Sequence, residues 1–340
     1  MTTTVRATRR RVGSAAPYVR PGLRAWLGLA WFGLTTVLLW RRDPIVGSLI
    51  VTDRCNLACR HCAVANLRRL DYPYDTLVQD LRSLHDQGVR ILLLYGGEPL
   101  LWRDATHTIH DVVATARRIG FPWVGVVTNG TRGLDLPEAD LVLVSVDGTR
   151  ERHDAIRGRT YDKILANVRA ATRANLCLYM AVNSENLADV EAVAELATTL
   201  PTVRGVSYNL HTPYPGTEAL SLTPEQRRDV CDRIGRLIRR GYPVVNLASA
   251  LPYVADLTGP RPCPQCVIVE DGEQWTCGRC IEIDGLCAQC GFLFAYELSL
   301  LFRGRPAVVL EALRRYPALL RPSPSRRRSP TRREVTPAVR

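Results

Sequence analysis

Short apolar runs alternate with amphipathic segments through the middle of the chain. Runs of six to eight mostly apolar residues are typical of strands, and they occupy residues 45–52, 90–95, 123–128, 141–146, 176–182 and 203–210. Apolar residues at helical spacing fill the intervals, and the helices predicted there occupy residues 75–87, 104–119, 162–174, 187–199 and 223–240. Apolar strands that alternate with crossover helices indicate a parallel sheet that is covered on both faces.

Particular residues mark several of the predicted helix ends. Gly88 and Gly120 follow the first two helices and act as stop signals. Thr223 begins the last helix of the series, and Gln226 completes a capping box with it. We therefore predict an α/β fold, a curved and open (β/α)6 partial TIM-type barrel over residues 43–245, whose chemistry gathers at the carboxyl ends of the strands.

The charge of the chain is concentrated at its two ends. The formal net charge is +12, but residues 1–24 hold six Arg and no acid, and residues 321–340 hold seven Arg and one Glu. Residues 25–320 are therefore neutral overall. We predict basic, disordered arms at both ends that touch anionic surfaces. The neutral folded part argues against a basic groove, so no specific nucleic acid is expected as a partner.

An uncharged segment lies next to the first basic arm. Residues 25–40 contain no charge, and Trp26, Trp31 and Trp40 are placed as the aromatic anchors of a membrane interface are. A helix of that length reaches about 24 Å, which is short of the ~30 Å hydrocarbon core. We predict a hydrophobic, membrane-associated helix over residues 25–42 that lies in the interface, inserts as a re-entrant anchor, or spans with its N-terminus outside. A cleaved signal peptide and a helix packed on the protein's own barrel are the alternatives.

The eleven cysteines fall mainly into two clusters. Cys55, Cys59 and Cys62 follow the first predicted strand with C-x3-C-x2-C spacing. Three thiolates on one loop can hold three irons of a [4Fe-4S] cluster and leave the fourth iron open. On spacing alone, a zinc site with a fourth ligand elsewhere and a ferredoxin-like loop are the alternatives. Clustered cysteines fit metal sites better than disulfides, which predicts a reducing, cytoplasmic setting, and the isolated Cys177 and Cys231 are predicted to be packing residues.

The first cysteine loop resembles the signature of the radical S-adenosylmethionine (radical SAM) superfamily. The resemblance implies a [4Fe-4S] cluster on Cys55, Cys59 and Cys62 whose open iron binds S-adenosylmethionine (SAM). It also implies a flavodoxin- or ferredoxin-type reductant. The partial barrel predicted above is the fold of this superfamily.

Further residues after the strands resemble the SAM-binding positions of the superfamily. They are Gly96, Gly97, Glu98, Pro99, Ser145, Asp147 and Asn183. The Gly-Gly-Glu-Pro turn resembles the second motif, which implies contact with the amino group of SAM and places the glutamate near that ammonium. The serine and the aspartate resemble the fourth-strand segment and would bind ribose hydroxyls, and the last asparagine would have a similar role. An ordinary turn and a loop-capping aspartate are the alternatives.

The second cysteine cluster consists of three C-x2-C pairs within residues 246–295. Its members are Cys263, Cys266, Cys277, Cys280, Cys287 and Cys290. A hairpin pattern with Asp271 and Gly272 at its turn lies between the first two pairs. The spacing resembles the SPASM or twitch extension of some radical SAM enzymes, which implies one auxiliary [4Fe-4S] cluster, while a zinc ribbon is the alternative. A C-terminal helix is predicted over residues 296–320.

The function predicted is a radical SAM enzyme that cleaves SAM reductively and forms a 5′-deoxyadenosyl radical. The substrate is unknown, and the hydrophobic segment beside the barrel suggests a lipid or isoprenoid. The arrangement also resembles the hopanoid-pathway radical SAM proteins. The alternatives are a radical SAM enzyme that modifies peptides or proteins, and a non-catalytic iron–sulfur or zinc protein that transfers electrons or binds a partner. The expected location is the cytoplasm, at a membrane surface.

Overall fold

The computed structural model describes residues 23–39, 42–62 and 66–320. The predicted arm at residues 1–24 lies outside this part of the chain apart from its last two residues, and the predicted tail at residues 321–340 lies outside it entirely. Trp40 and the side chain of Trp26 also lie outside the described residues.

Strands and helices alternate through the first part of the fold. In chain order this part consists of α1 (Leu23–Leu39), β1 (Val46–Thr52), α2 (Tyr74–Asp86), β2 (Ile91–Gly96), β3 (Arg103–Asp104), β4 (His107–Thr108), α3 (Ile109–Ile119), β5 (Trp123–Thr128), β6 (Leu141–Ser145), α4 (Arg150–Arg157), α5 (Tyr161–Ala170), β7 (Leu176–Val182), α6 (Val190–Thr199), β8 (Val203–Leu210) and α7 (Pro224–Arg239). The C-terminal part consists of α8 (Leu251–Ala255), β9 (Cys266–Glu270), β10 (Glu273–Thr276), α9 (Leu293–Phe302) and α10 (Pro306–Leu320).

The six predicted strands are present and pair in parallel in the order β1-β2-β5-β6-β7-β8. Their side chains are mostly buried on both faces, which is why the runs are apolar throughout. Cys177 on β7 and Cys231 on α7 are 0% and 3% exposed, as expected of packing residues. The predicted α/β fold with a parallel sheet is confirmed.

The sheet contains two further strands that come from the cysteine-rich region. β9 pairs in parallel with β1, with Val46 opposite Cys266 and Leu49 opposite Val269, and β10 pairs antiparallel with β9. The turn between β9 and β10 has φ of 53° at Asp271 and 79° at Gly272, as the Asp-Gly sequence predicts. The second cysteine cluster is therefore built onto the edge of the barrel sheet.

Several helix boundaries differ from the predicted ones. The helix predicted over residues 104–119 begins at Ile109, because the residues before it form the β3–β4 hairpin. α4 was not predicted, since its sequence is mostly charged and lacks an apolar period. The single C-terminal helix predicted over residues 296–320 is two helices, which separate at Gly304, where φ is 67°. The capping box of Thr223 and Gln226 is present as predicted.

α1 packs on the protein with one face and exposes the other. Phe32 packs into a cluster with Ile45 and Val46 at the start of β1. The opposite face carries Leu27, Trp31, Leu34 and Leu38, whose side chains are 51–67% exposed. Within the described ranges, no helix combines the length and apolar content needed to cross a membrane.

Candidate functional site

Loops at the carboxyl ends of the parallel strands bring polar side chains together. The first cysteine loop follows β1, and Asn129 follows β5. Asn129 Nδ2 donates to Asn56 Oδ1 at 3.0 Å and lies 3.6 Å from Cys55 Sγ. Asp147, which follows β6, has its Oδ2 3.7 Å from His61 Nε2. The loops after three different strands therefore meet around the cysteines.

Nitrogen donors approach two of the three sulfurs of this loop. Leu57 N donates to Cys55 Sγ at 3.4 Å, and Arg157 Nη1 donates to Cys59 Sγ at 3.8 Å. Burial raises the pKa of Cys55, and it raises the pKa of Cys59 to about 11 against the opposing effect of the Arg157 guanidinium. Cys62 is exposed at the end of the loop. Donors of this kind stabilise an anionic sulfur, so the loop suits a thiolate-bound group.

Gly96 and Gly97 let β2 pack against the backbone that leads into the cysteine loop. Gly96 has φ of +147°, and a Cβ there would lie 2.1 Å from Thr52 O. A Cβ at Gly97 would lie 2.3 Å from Arg54 O, and Gly97 N donates to Thr52 O at 2.7 Å. Both glycines also line the cavity described below. Both glycines are thus required for close packing of the backbone, which the sequence did not reveal, in addition to their predicted contact with the ligand.

Glu98 is fully buried and uses both carboxylate oxygens inside the protein. Oε1 accepts hydrogen bonds from Thr128 Oγ1 at 2.7 Å and Leu100 N at 3.0 Å, and Oε2 accepts one from Asn129 N at 2.7 Å. Burial raises the pKa of Glu98, although these hydrogen bonds oppose the rise. Glu98 and the buried Pro99 thus tie the turn after β2 to the end of β5, and the contact of Glu98 with the ammonium of SAM stays a prediction.

Asp147 is fully buried in an ion pair with Arg157 of α4. Arg157 Nε donates to Asp147 Oδ2 at 2.5 Å, and Ala181 N donates to Oδ1 at 2.9 Å. Burial alone would raise the pKa of Asp147, but the guanidinium of Arg157 holds it below its usual value. Asp147 therefore faces Arg157, and Arg157 is the member of the pair that lines the cavity. The contact of Asp147 with ribose hydroxyls stays a prediction.

The two other predicted SAM-binding residues have different surroundings. Ser145 lies at the end of β6 and lines the cavity. Asn183 is fully buried after β7, where its Oδ1 accepts from Glu185 N at 2.9 Å and its backbone N donates to Asn186 Oδ1 at 2.7 Å. Asn183 thus holds this turn, and its role in binding SAM stays a prediction.

A cavity of about 360 Å³ lies between the two cysteine clusters. The cysteines that line it are Cys55, Cys59, Cys62, Cys266, Cys277, Cys280 and Cys290. Tyr95, Thr128, Tyr179 and Asn209 also line it, although they were not predicted as site residues. Their signal in the sequence is a polar side chain at an inward position of an otherwise apolar strand. Both clusters therefore face one cavity.

Three of the six cysteines of the second cluster are buried and the other three are partly buried. Cys263 and Cys266 have their Sγ atoms 3.0 Å apart, and Cys290 Sγ accepts a hydrogen bond from Phe292 N at 3.5 Å. Burial raises the pKa of Cys290 to about 11 and that of Cys277 to about 12. Thiols with such raised pKa values stay protonated at neutral pH unless a cation binds them.

The donor chemistry of both clusters fits a thiolate-bound metal group. Sulfur is the ligand that iron–sulfur clusters and structural zinc share, and N–H donors point at sulfurs in each cluster. No three His, Cys, Asp or Glu side chains converge closely enough to hold a metal ion within residues 23–39, 42–62 and 66–320. The ligand sets of both clusters therefore stay predictions.

Residues 49–197 match the family model described as the radical SAM superfamily. The chain carries a radical SAM domain. The match begins on β1 and includes the cysteine loop, the turn after β2 and all but the last residues of α6. It confirms the resemblance that the cysteine spacing indicates.

The radical SAM domain has curated relatives with several names. Fe-coproporphyrin III synthase from Methanosarcina barkeri is 28% identical over 214 residues, which are 57% of this chain and 52% of that protein. Pre-heme d1 synthase from Dinoroseobacter shibae is 34% identical over 131 residues, 36% of this chain and 32% of that protein. Mycofactocin maturase MftC from Mycobacterium tuberculosis is 31% identical over 171 residues, 46% of this chain and 42% of that protein. The chain thus spans about half, or less, of the length of these relatives.

Two solved structures share the fold. Streptococcus suis SuiB bound to precursor peptide SuiA has a TM-score of 0.56 at 12% identity, with 84% of this chain and 70% of SuiB covered. Native anSMEcpe with bound AdoMet and Kp18Cys peptide has a TM-score of 0.53 at 15% identity, with 80% of this chain and all of that chain covered. At these identities the likeness concerns the fold alone. The resemblance to hopanoid-pathway proteins is not tested by these relatives and stays a prediction.

Proposed function

We propose that the protein is an enzyme that holds a [4Fe-4S] cluster on Cys55, Cys59 and Cys62 and cleaves SAM reductively there. The observation that carries the proposal is the position of these three cysteines on one loop, beside a cavity that Gly97 and Ser145 also line. The match of the domain to the radical SAM superfamily supports the same chemistry. Such a cluster, once bound and reduced, supplies the electron that splits SAM into methionine and a 5′-deoxyadenosyl radical.

In this proposal, side chains of the protein bind and orient the cluster and SAM. Arg157 Nη1 donates to Cys59 Sγ at 3.8 Å, so the guanidinium is suited to stabilise the thiolate of this cysteine. Asp147 orients the guanidinium through its hydrogen bond to Nε, and Ser145 offers a hydroxyl to the same cavity. The apolar walls exclude water, which protects a reactive radical from side reactions.

Anaerobic reconstitution with iron and sulfide, followed by SAM and dithionite, tests this proposal. The wild type is expected to release 5′-deoxyadenosine and methionine in equal amounts. The triple variant of Cys55, Cys59 and Cys62 to Ala is expected to release neither, whereas Cys231→Ala, which removes a buried cysteine of α7, is expected to retain the activity. An iron-loaded wild type that never cleaves SAM contradicts the proposal.

A lipid or isoprenoid is the substrate class we propose, and peptide modification is the second candidate. The exposed apolar face of α1 and the apolar walls of the cavity support the first. The relative MftC, named a maturase, is 31% identical over 171 residues and favours the second. Comparison of the lipid and peptide pools of a deletion strain with those of the wild type decides between them. A change confined to peptides contradicts the lipid proposal.

We also propose an auxiliary [4Fe-4S] cluster on the second set of cysteines. Cys266, Cys277, Cys280 and Cys290 face the same cavity as the first cluster, which supports a shared role in the reaction. Mössbauer spectroscopy with metal analysis is expected to find about eight irons per chain and no zinc, as two cubane clusters require. About four irons with one zinc supports the zinc ribbon and contradicts the auxiliary cluster.

We propose that α1 docks the protein on an anionic membrane surface in the cytoplasm. Leu27, Trp31, Leu34 and Leu38 recur at helical spacing on its exposed face, and residues 1–42 hold eight Arg and no acid. Co-sedimentation with phosphatidylglycerol vesicles is expected to exceed that with phosphatidylcholine vesicles. Deletion of residues 1–42 is expected to abolish it, and unchanged sedimentation contradicts the docking.

A flavodoxin- or ferredoxin-type protein is the reductant we propose. Arg60 on the cysteine loop is half-exposed, and it pairs with Glu185 at the surface. Flavodoxin with its reductase and NADPH is expected to replace dithionite in the 5′-deoxyadenosine assay, with a rate that falls at high salt because charged surfaces steer the encounter. If neither flavodoxin nor ferredoxin supports SAM cleavage by protein that is active with dithionite, this choice of reductant is contradicted.

A further inference from the structure

The cavity between the cysteine clusters is nearly free of charge. In the described part of the chain, no Asp, Glu or Lys side chain lines it, and Arg157 is the single Arg that does. This Arg already has a counter-ion, since its Nε donates to Asp147. An ionised substrate group would lose its water there without gaining an unpaired partner, and such burial is strongly unfavourable. The lining therefore favours uncharged molecules.

The part of the cavity away from the first cysteine loop is mainly apolar, with Ser48 of β1 as a polar member of the lining. Val46 and Leu93 line it from the early residues of β1 and β2, Val267 lines it from β9, and Phe294 lines it from α9. These residues lie toward the amino ends of the parallel strands, whereas Cys55 lies beyond a carboxyl end. The cavity thus offers an apolar compartment next to the polar rim where SAM is proposed to bind.

Two residues of the lining carry a buried polar atom with no hydrogen-bond partner among the described residues: His61 at Nδ1, on the first cysteine loop, and Asn209 at Oδ1, on β8. Asn209 is the penultimate residue of β8 and is 4% exposed. Its Nδ2 donates a hydrogen bond to Tyr179 Oη on the neighbouring strand β7. Its Oδ1 is buried and accepts no hydrogen bond among the described residues. A buried amide oxygen without a donor is destabilising, so a ligand that donates to it gains affinity. Asn209 Oδ1 is therefore a natural point of recognition.

We propose that the substrate is an uncharged, mainly apolar molecule that donates one hydrogen bond, from a hydroxyl or an amide N–H, to Asn209 Oδ1. This inference rests on the proposed function, because it takes the cavity beside Cys55, Cys59 and Cys62 as the place of reaction. It names Asn209 as a specificity-determining residue and Tyr179 as the residue that orients its amide. Anionic and cationic analogues of the same chain length are excluded by the missing counter-ions.

Binding of four ten-carbon probes to the reconstituted full-length protein with SAM tests the inference. The probes are 1-decanol, decyl methyl ether, decanoate and decylamine, and their affinities are measured by calorimetry. Decanol is expected to bind about tenfold more tightly than the ether, which accepts but does not donate a hydrogen bond. Decanoate and decylamine are expected to bind at least about tenfold more weakly than decanol. Equal affinities for decanol and the ether, or tighter binding of either ion, overturn the inference.

Two variants locate the effect on one atom. Asn209→Leu keeps the approximate volume and is expected to reduce the preference for decanol over the ether to about onefold, with the SAM affinity within about twofold of wild type. Tyr179→Phe retains Asn209 and is expected to retain a preference for decanol. A loss of SAM affinity in Asn209→Leu with the probe preference intact overturns the inference, because Asn209 then belongs to the SAM site. Absence of SAM cleavage with the expected order of probes contradicts the proposed function but leaves the selectivity of the cavity supported.

Discussion

Two buried carboxylates at the rim of the barrel are stabilised in different ways. Glu98 accepts hydrogen bonds from neutral donors, and burial raises its pKa. Asp147 pairs with the guanidinium of Arg157, which lowers its pKa despite burial. Removal of a donor from Glu98 leaves other donors in place, whereas removal of Arg157 leaves an uncompensated charge inside the protein.

Substitution of Arg157 tests the importance of this ion pair for stability. Arg157→Gln is expected to lower the free energy of unfolding by about 3–5 kcal/mol, because Asp147 stays buried without its counter-ion. The double variant with Asp147→Asn removes both charges and is expected to recover most of that loss. Urea unfolding measures both, and Arg159→Gln at the exposed neighbour is the control, expected within about 0.5 kcal/mol of wild type. A double variant as unstable as the single one would show that charge pairing is not the cause.

The same guanidinium is expected to influence the first cluster. Arg157 Nη1 lies 3.8 Å from Cys59 Sγ, and positive charge or a hydrogen bond near a cluster thiolate favours the reduced state. In the iron-loaded double variant of Arg157 and Asp147, the reduction potential of the cluster is expected to fall by on the order of 50 mV, close to a tenfold change in a one-electron equilibrium. An EPR-monitored redox titration measures it, and an unchanged potential contradicts the contact.

The glycine that touches the cysteine loop makes a separate prediction. Gly97→Ala is expected to destabilise the protein by about 1–3 kcal/mol, because the new Cβ would lie 2.3 Å from the Arg54 carbonyl oxygen and the backbone must shift. Gly133→Ala is the matched control, since a Cβ there meets nothing within 4 Å. Thermal unfolding compares the two variants. Equal melting temperatures would show that the loop accommodates the methyl group.

The residue chemistry of the rim was only partly predictable from the sequence. Cysteines that share a cluster must share a loop, so spacing is enough to find Cys55, Cys59 and Cys62. No local pattern shows that Glu98 and Asp147 are already occupied, because their partners lie 30 and 10 residues away along the chain. The structural contacts of these two residues therefore could not be predicted from the sequence.

At the scale of elements, the six strands of the barrel were predictable from the sequence, but the position of β9 next to β1 was not. The six strands of the barrel are apolar throughout, and that pattern follows from burial on both faces. The hairpin of β9 and β10 was recognisable from its Asp-Gly turn. Its pairing with β1 was not, since hydrogen bonding between strands more than 200 residues apart leaves no periodic signal.

The contact between α9 and α10 contains a buried acid. Glu297 of α9 accepts hydrogen bonds from Asn246 Nδ2 at 3.1 Å, from Leu247 N at 3.0 Å and, through its second oxygen, from Tyr316 Oη of α10 at 2.9 Å. Burial raises the pKa of Glu297 from 4.5 to about 7, against these hydrogen bonds. The native state therefore retains a proton that the unfolded chain releases at lower pH.

This raised pKa predicts the direction of a pH effect on stability. The contribution of Glu297 is fully present below pH 4.5 and is lost as the pH rises through about 7, where the buried carboxyl must ionise. Glu297→Gln is expected to reduce this fall of stability, which amounts to at most about 3 kcal/mol between the two pKa values. Urea unfolding at pH 5 and pH 8 measures it, with Glu273→Gln at an exposed position as the control. If the free energy of unfolding of Glu297→Gln depends on pH as that of the wild type does, another titratable group causes the effect.

At the scale of the whole molecule, the radical SAM domain and the cysteine-rich region share one sheet. A chain that ends at residue 262 lacks β9 and leaves an edge of β1 unpaired. Such a truncated protein is expected to lose cooperative unfolding and to aggregate, whereas a chain that ends at residue 320 is expected to unfold as the full chain does. Circular dichroism melts and analytical ultracentrifugation check both. A soluble, cooperatively folded truncation would show that the barrel is independent of the hairpin.

The pairing of β9 with β1 also orders events during synthesis. A ribosome that adds 5–20 residues per second needs roughly 10–40 s to proceed from the end of β1 to β9. Through that interval the nascent chain presents the three thiols of its first cysteine loop beside an unfinished sheet, before the second cysteine cluster has been added to close the cavity. Delivery of iron and sulfide is therefore expected to follow release from the ribosome, with the completed polypeptide as the acceptor.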